Sequence, residues 1–114
     1  MNLQQFVDMT EHATKESQPA VLFRVFNYAA KVHIITVEKS ARCSMMLNPT
    51  IGAYESAVLL MLPLDVIDWG VMYERDKTGA WCTIPDKPLF EGDAATPALA
   101  LATVILRSYV AIGF

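Results

Sequence analysis

The sequence has few of the residues on which most catalytic and metal centres depend. Only two histidines and two cysteines occur among 114 residues. Cys43 and Cys82 fit no metal-binding spacing, so we expect two buried, reduced thiols. The five glycines occur singly, which excludes a glycine-rich phosphate loop, and no zinc-protease or serine-hydrolase motif is present. The sequence therefore predicts no enzyme, no cofactor and no metal.

Charge is also scarce. Charged residues make up 18% of the chain and hydrophobic residues 54%, whereas an average globular protein has about 25% charged residues. The net charge of −3, without a run of Lys or Arg, argues against a nucleic-acid partner. The longest apolar run, residues 98–106, is too short to cross a bilayer, and the first residues do not read as a signal peptide. We expect a cytoplasmic protein with no membrane partner.

A chain of this length predicts a single domain over residues 1–114. Hydrophobic periodicity predicts an amphipathic helix over residues 2–16. Residues 20–27 are ambiguous, because their Val and Phe content favours a strand while the spacing of Leu22 and Phe26 suits a helix. We favour the strand.

The next segments predict a strand–strand–helix unit. Residues 31–38 are rich in β-branched side chains, and residues 42–47 follow after a short turn, so both are predicted to be strands. Thr50 is a good helix N-cap, and Pro63 ends the helix that follows it.

The last part of the chain repeats this order with longer loops. Two β-rich runs, residues 66–74 and 80–84, predict a hairpin. Residues 85–95 contain two prolines and are predicted to be a loop. Thr96 and Pro97 are suited to the N-cap and first turn of a final helix that runs almost to the last residue.

These elements predict an α+β fold. An N-terminal helix is followed by two ββα-like units, which form an antiparallel sheet of four to five strands packed with two further helices. Alternation places Trp69 on one face of the hairpin, and Trp81 is expected across from it. We expect both rings to pack beneath the final helix.

The residues Thr96-Pro97-Ala98-Leu99-Ala100, after a hairpin that bears a Trp, resemble small tailed-phage proteins of the NinX-like and phage α/β/α-sandwich families. Ala53-Tyr54-Glu55-Ser56-Ala57 is similar to the helix that precedes the hairpin in them. The resemblance covers about the last 60 residues. It implies a phage accessory role and carries over no catalytic residue.

Three arginines lie in or beside apolar runs, where an arginine either extends its head to water or pairs with an anion. With nearby aromatic side chains they are candidates to hold a phosphate and stack a base. The candidate ligand- or partner-binding residues are Arg24, Arg42, Tyr54, Trp81, Arg107 and Tyr109.

Three functions are compatible with these observations. The leading one is a non-enzymatic phage or mobile-element accessory protein that binds and blocks a host protein, as inhibitors of host defence do. The second is a nucleotide-binding sponge with its ligand site at a subunit interface. The third is a small enzyme that uses Cys43, with His33 as base, or an acidic rim. That rim comprises Asp65, Asp68, Glu74, Asp76, Asp86, Glu91 and Asp93.

The final helix also predicts self-association. Its apolar residues extend beyond the arc that one sheet covers, so a second subunit is expected on the other side, most simply in a homodimer. Leu101 and Val104 would then lie at the interface. The rival explanation is that the helix over residues 2–16 covers this side within one chain.

Overall fold

The computed structural model describes residues 1–48, 52–73 and 75–114. These residues form an α+β fold with five helices and one antiparallel three-stranded sheet. None of the described helices has both the length and the hydropathy that a membrane span requires. The elements in order are α1 (Leu3–His12), α2 (Gln18–Lys31), α3 (Val37–Met46), α4 (Tyr54–Leu59), β1 (Asp68–Tyr73), β2 (Thr78–Thr83), β3 (Phe90–Ala94) and α5 (Pro97–Ile112).

Helix α5 is the centre of the fold, and the sequence predicted it well. The Thr96 hydroxyl accepts a hydrogen bond from the Leu99 N–H at 3.2 Å, and Pro97 fills the first turn. Nearly every residue of α5 up to Tyr109 is buried. Because a helix that is apolar on all sides needs cover on all sides, the three strands and helices α1, α2 and α4 pack around it.

Helix α1 packs along α5 beside the β3 edge of the sheet. A capping box at Asn2 starts α1, and its buried Phe6 and Val7 belong to the same core as α5. The hydroxyls of Thr10 and Thr103 lie 2.8 Å apart and join the two helices. The argument for a dimer through α5 is therefore wrong, since Leu101 and Val104, the residues expected at the interface, are buried within one chain. The oligomeric state itself stays a prediction.

The strands predicted over residues 20–27, 31–38 and 42–47 are wrong, because this part of the chain forms α2 and α3. Helical spacing outweighs β propensity in α2, which buries Leu22 and Phe26 on one face. The chain then reverses at His33, whose φ of 65° is left-handed.

A second cap starts α3 after this reversal. The Thr36 hydroxyl accepts a hydrogen bond from the Lys39 N–H at 3.1 Å. The β-branched run that suggested a strand is mostly the connection between α2 and α3. The predicted helix near residues 50–62 is present as the shorter α4, and its predicted cap, Thr50, lies outside the described residues.

The predicted hairpin is confirmed as β1 and β2, with Tyr73 opposite Thr78 at its closed end. The predicted loop over residues 85–95 contains a third strand, β3, which pairs antiparallel with β2. The sheet has the order β1-β2-β3, so it has three strands rather than four to five. The described chain contains four helices beyond α1, and the two ββα-like units are not present.

We expect Leu101→Glu and Val104→Glu each to unfold the monomer. Both side chains are buried, and an unpaired carboxylate placed there costs several kcal/mol, against a total stability of about 5–15 kcal/mol for a domain. Circular dichroism and thermal unfolding measure this directly.

Val110→Glu is the matched control, because Val110 lies on the same helix but is exposed. It should change stability by about 0.5 kcal/mol or less. Folded, monomeric Leu101→Glu protein would contradict the placement of α5.

Candidate functional site

The two faces of the sheet have different surroundings. The inner face packs on α5, where the Cys82 thiol lies 3.8 Å from the Val104 carbonyl oxygen. The neighbouring Trp81 points the opposite way, because side chains alternate along a strand. We call this second surface the outer face. It is formed by Asp68, Gly70 and Met72 of β1, by Gly79, Trp81 and Thr83 of β2, by Glu91 and Asp93 of β3, and by Leu89 just before β3.

Trp81 lies across β1 on the outer face. Its strand partner is Gly70, and a Cβ built on Gly70 would lie 2.1 Å from the Cη2 atom of the indole. The ring therefore fills the space that a side chain at residue 70 would take. Trp69 pairs with Cys82 on the inner face and is 40% exposed. The prediction that both tryptophans pack together beneath α5 is wrong, since they lie on opposite faces.

A shallow cavity of about 280 Å³ adjoins the Trp81 ring. Met72 and Leu89 form apolar walls of this cavity and are 52% and 50% exposed. Asp68 and Glu91 place a carboxylate on either side, and both are exposed. The centre of the outer face is thus apolar, and its border is acidic.

Negative charge is concentrated around the sheet. Residues 65–93 contain seven acidic and three basic residues, a net charge of −4, and the rest of the chain contains five acidic and six basic residues. The Asp93 carboxylate pairs with the Lys77 ammonium at 2.8 Å at the edge of the outer face. Of the described residues, those that line the cavity beside Trp81 include no basic one. This surface therefore favours a positively charged ligand.

Four of the six predicted site residues lie on helices and not on the outer face of the sheet, and each of the four is on a different helix. Arg24 lies on α2 with its guanidinium 3.3 Å from the Met1 sulfur. Arg42 is exposed on α3, and Tyr54 begins α4. Arg107 lies on α5 and is already engaged, as its Nη2 pairs with Glu11 at 2.8 Å.

The remaining two residues are separated by the sheet and the core. The Tyr109 hydroxyl donates to the Met61 carbonyl oxygen at 2.7 Å, deep in the fold. Burial, with a smaller effect of the Asp65 charge, raises the pKa of Tyr109 to about 12. Trp81 alone lies on the outer face. Among the described residues, no hydrogen bond, ion pair or ring contact joins any two of the six, so the predicted nucleotide site stays a prediction.

The thiols are free and buried, as expected. Burial raises the pKa of both Cys43 and Cys82, which disfavours the thiolate that a nucleophile needs. The Cys43 thiol lies 3.4 Å from the Ala57 carbonyl oxygen, inside the helical half of the core. Within the described ranges, no group of three or more His, Cys, Asp or Glu side chains is arranged to hold a metal ion.

Sequence reasoning missed most of the outer face. Side chains alternate between the two faces of a strand, so the sequence alone places Met72 on the face opposite Trp69. The two prolines in residues 85–95 predict a loop for Leu89 and Glu91, whereas the structure has the short strand β3 from Phe90 to Ala94. The pairing of Trp81 with Gly70 depends on the hairpin register, which the charged turn did not specify.

We expect Gly70→Ala to displace the Trp81 ring from the sheet. The new methyl group would overlap the indole, and such overpacking costs about 1–3 kcal/mol. In a Trp69→Phe background, where only Trp81 emits, the substitution should red-shift the fluorescence and increase acrylamide quenching.

Gly79→Ala in the same background is the control. The atoms nearest to its Cβ would be an Asp93 carboxylate oxygen, at 3.2 Å, and the Cε and carbonyl oxygen of Met72, both at 3.9 Å. Emission should then stay close to that of the parent. Identical emission and stability for Gly70→Ala and Gly79→Ala would contradict the position of Trp81.

A second prediction concerns Tyr109 at high pH. The unfolded phenol ionises near its ordinary value of 10, whereas burial keeps the folded phenol protonated to a pKa of about 12. The contribution of this phenol to the free energy of unfolding is therefore fully present below pH 10 and is lost as the pH rises from 10 to 12. By pH 11 the free energy of unfolding should fall by about 1 kcal/mol through this group.

Urea unfolding at pH 8 and pH 11 measures the effect. Tyr109→Phe should abolish this part of the pH dependence and lower stability at pH 8 by about 1 kcal/mol, because the hydrogen bond to Met61 is lost. Tyr73→Phe is the control, since Tyr73 is 75% exposed and should leave the pH dependence unchanged. Equal pH dependence in all three proteins would refute the burial of the Tyr109 hydroxyl.

Comparison with known proteins does not indicate a function for this chain. No protein-family model matches the chain, and neither a curated protein nor a solved structure gives a significant match to it. The resemblance of the last 60 residues to phage accessory families thus stays a prediction. The geometry around Trp81 is the observation on which a functional proposal rests.

Proposed function

We propose that this chain is a non-enzymatic protein-binding module that engages a basic partner protein through the outer face of its sheet. The observation that carries the proposal is the apolar centre around Trp81, bordered by carboxylates and uncovered by any described helix or strand. Met72 and Leu89 complete that centre.

The composition of the outer face supports binding. An antiparallel sheet with one face in water normally places polar side chains on that face. Here a tryptophan, a methionine and a leucine interrupt the polar residues, which resembles the apolar core and polar rim of protein interfaces. Tryptophan is also enriched among the residues that carry most of the binding energy. Trp81, held against Gly70, is therefore the anchor that we propose.

The charge of the outer face favours a partner of opposite sign. Asp68 and Glu91 flank the apolar centre, and the region around the sheet has a net charge of −4. A partner surface with lysines or arginines around an apolar side chain complements both features. Such complementarity speeds association and makes it sensitive to salt.

The resemblance to phage accessory proteins points to a partner from the host cell. We propose that the chain acts by occupying a basic surface of that host protein and blocking its use. This action needs no catalytic group, only a rigid binding face. The sheet provides rigidity, because β2 is paired on both sides and α5 fills the space behind it.

The test is capture from a lysate of the host by immobilised protein, compared between variants. Leu89→Lys places a charge in the apolar centre, and Glu91→Lys reverses the sign of the border. Both side chains are exposed, so the fold should be retained. Each substitution should reduce the captured amount of a specific partner at least about tenfold, a loss of 1.4 kcal/mol or more.

Met45→Lys is the matched control, because Met45 is an exposed apolar side chain on α3, a helix that packs against α2 and α4. It should leave capture unchanged. A partner that is captured equally by Leu89→Lys, Glu91→Lys and the parent, or one lost only with Met45→Lys, would refute binding through the outer face.

A further inference from the structure

Strand β1 forms an open edge of the sheet. It pairs with β2 on one side, and among the described elements only β2 and α5 make more than marginal contact with it. An edge strand presents a row of backbone N–H and C=O groups that a further strand can use. The opposite edge, β3, differs, because α1 lies against it and Arg107 donates to the Glu91 carbonyl oxygen there.

The edge of β1 lacks the features that usually block strand addition. Proteins protect edges with lysine, proline or inward charges, and the six residues Asp-Trp-Gly-Val-Met-Tyr contain neither lysine nor proline. The one carboxylate, of Asp68, accepts a hydrogen bond from the Trp69 N–H at 2.9 Å, which occupies one donor at the start of the strand. The stretch from Gly70 to Tyr73 is left for pairing.

We propose that β1 binds an extended segment of the partner, rich in alternating basic and apolar residues, as a fourth strand of the sheet. This proposal rests on the proposed function, as it names how the partner reaches the outer face. Side chains of an added strand alternate between the two faces. One set would therefore lie beside Met72 and Asp68, at the border of the Trp81 cavity.

The other set of side chains would lie beside the exposed rings of Trp69 and Tyr73, which are on the opposite face of β1. Valine, isoleucine or an aromatic residue suits these positions, because aromatic and β-branched cross-strand pairs are favourable. The outer positions suit lysine or arginine, which the Asp68 carboxylate attracts. Together the two faces of β1 predict the alternating pattern.

Charge decides between such a segment and a second copy of this chain. Pairing β1 with its own copy would bring two Asp68 carboxylates and two regions of net charge −4 to one interface. Two surfaces of the same charge repel each other at one interface, whereas a basic strand is attracted to this surface. The occupant that we propose is therefore the basic segment.

The probe is a capped hexapeptide of alternating lysine and valine, titrated into the full-length protein. Hydrogen exchange of the β1 amides and tryptophan fluorescence report binding. Exchange of the alternate β1 amides between Gly70 and Tyr73 that point away from β2 should slow at least tenfold with bound peptide. A hexapeptide of alternating glutamate and valine should bind at least tenfold more weakly.

Two N-methylated versions of the probe test the backbone bonds. In an extended strand the N–H groups of the lysines point to one side and those of the valines to the other. Methylation of one set should weaken binding at least tenfold, and methylation of the other set should leave it unchanged. This asymmetry is specific to strand pairing, since side-chain contact alone would treat both versions alike.

Three outcomes would overturn strand addition. The first is equal binding of both methylated probes without a change in β1 exchange. The second is no binding of the lysine–valine probe at millimolar concentration. The third is a dimer in sedimentation equilibrium whose β1 amides are already protected without peptide, which would assign the edge to a second copy. The lysate capture with Leu89→Lys tests the outer face separately, so failure of the strand and failure of the face are distinguishable.

Discussion

The need to bury α5 on every side determines the architecture of this protein. The helix has almost no polar surface up to Tyr109, so a single covering layer would leave much of it in water. The sheet covers one side, and α1 covers another through close contacts such as that between Thr10 and Thr103. Helix α4 completes the cover, with the Tyr109 hydroxyl bonded to the Met61 carbonyl just beyond it. Because the polar atoms of these contacts bond to one another, the core is closed without an unpaired buried side-chain group among the described residues.

This arrangement uses only one face of the sheet. A three-stranded sheet with a helix on a single side leaves its second face in water, and that face is where the chain places Trp81. The ring is fixed by the absence of a side chain at Gly70 rather than by burial under another element. Exposed apolar side chains are therefore present on the sheet, among them Met72 and Leu89, whereas α5 is almost wholly buried up to Tyr109. The candidate interface follows from how the core is closed.

The sequence was informative where local signals and tertiary packing agree. Thr96 and Pro97 predicted α5 correctly, and the two β-rich runs predicted the hairpin, because caps and β propensity act over a few residues. It was misleading over α2 and α3, where Val and Ile favour a strand locally while burial of Leu22 and Phe26 on one face favours a helix. Of the candidate site, Trp81 was named as a binding residue, and Asp68, Glu91 and Asp93 were named only as part of an acidic rim. The environment of the Trp81 ring depends on which residue of β1 is paired with Trp81. A shift of one residue in the pairing register would move the side chains of a strand to the other face of the sheet.

The two edges of the sheet are unequal, and this inequality limits how the molecules can assemble. A chain that offered a free strand at both edges could add copies without end, as in fibres, because each addition would regenerate the edge that it consumed. Here α1 lies against β3, and the Arg107 guanidinium occupies a carbonyl oxygen of that strand. Strand pairing at β1, as we propose it, would therefore end after one addition. The ion pair between Arg107 and Glu11 joins α5 to α1 beside the β3 edge, and an edge covered in this way gives a further copy no free strand to extend.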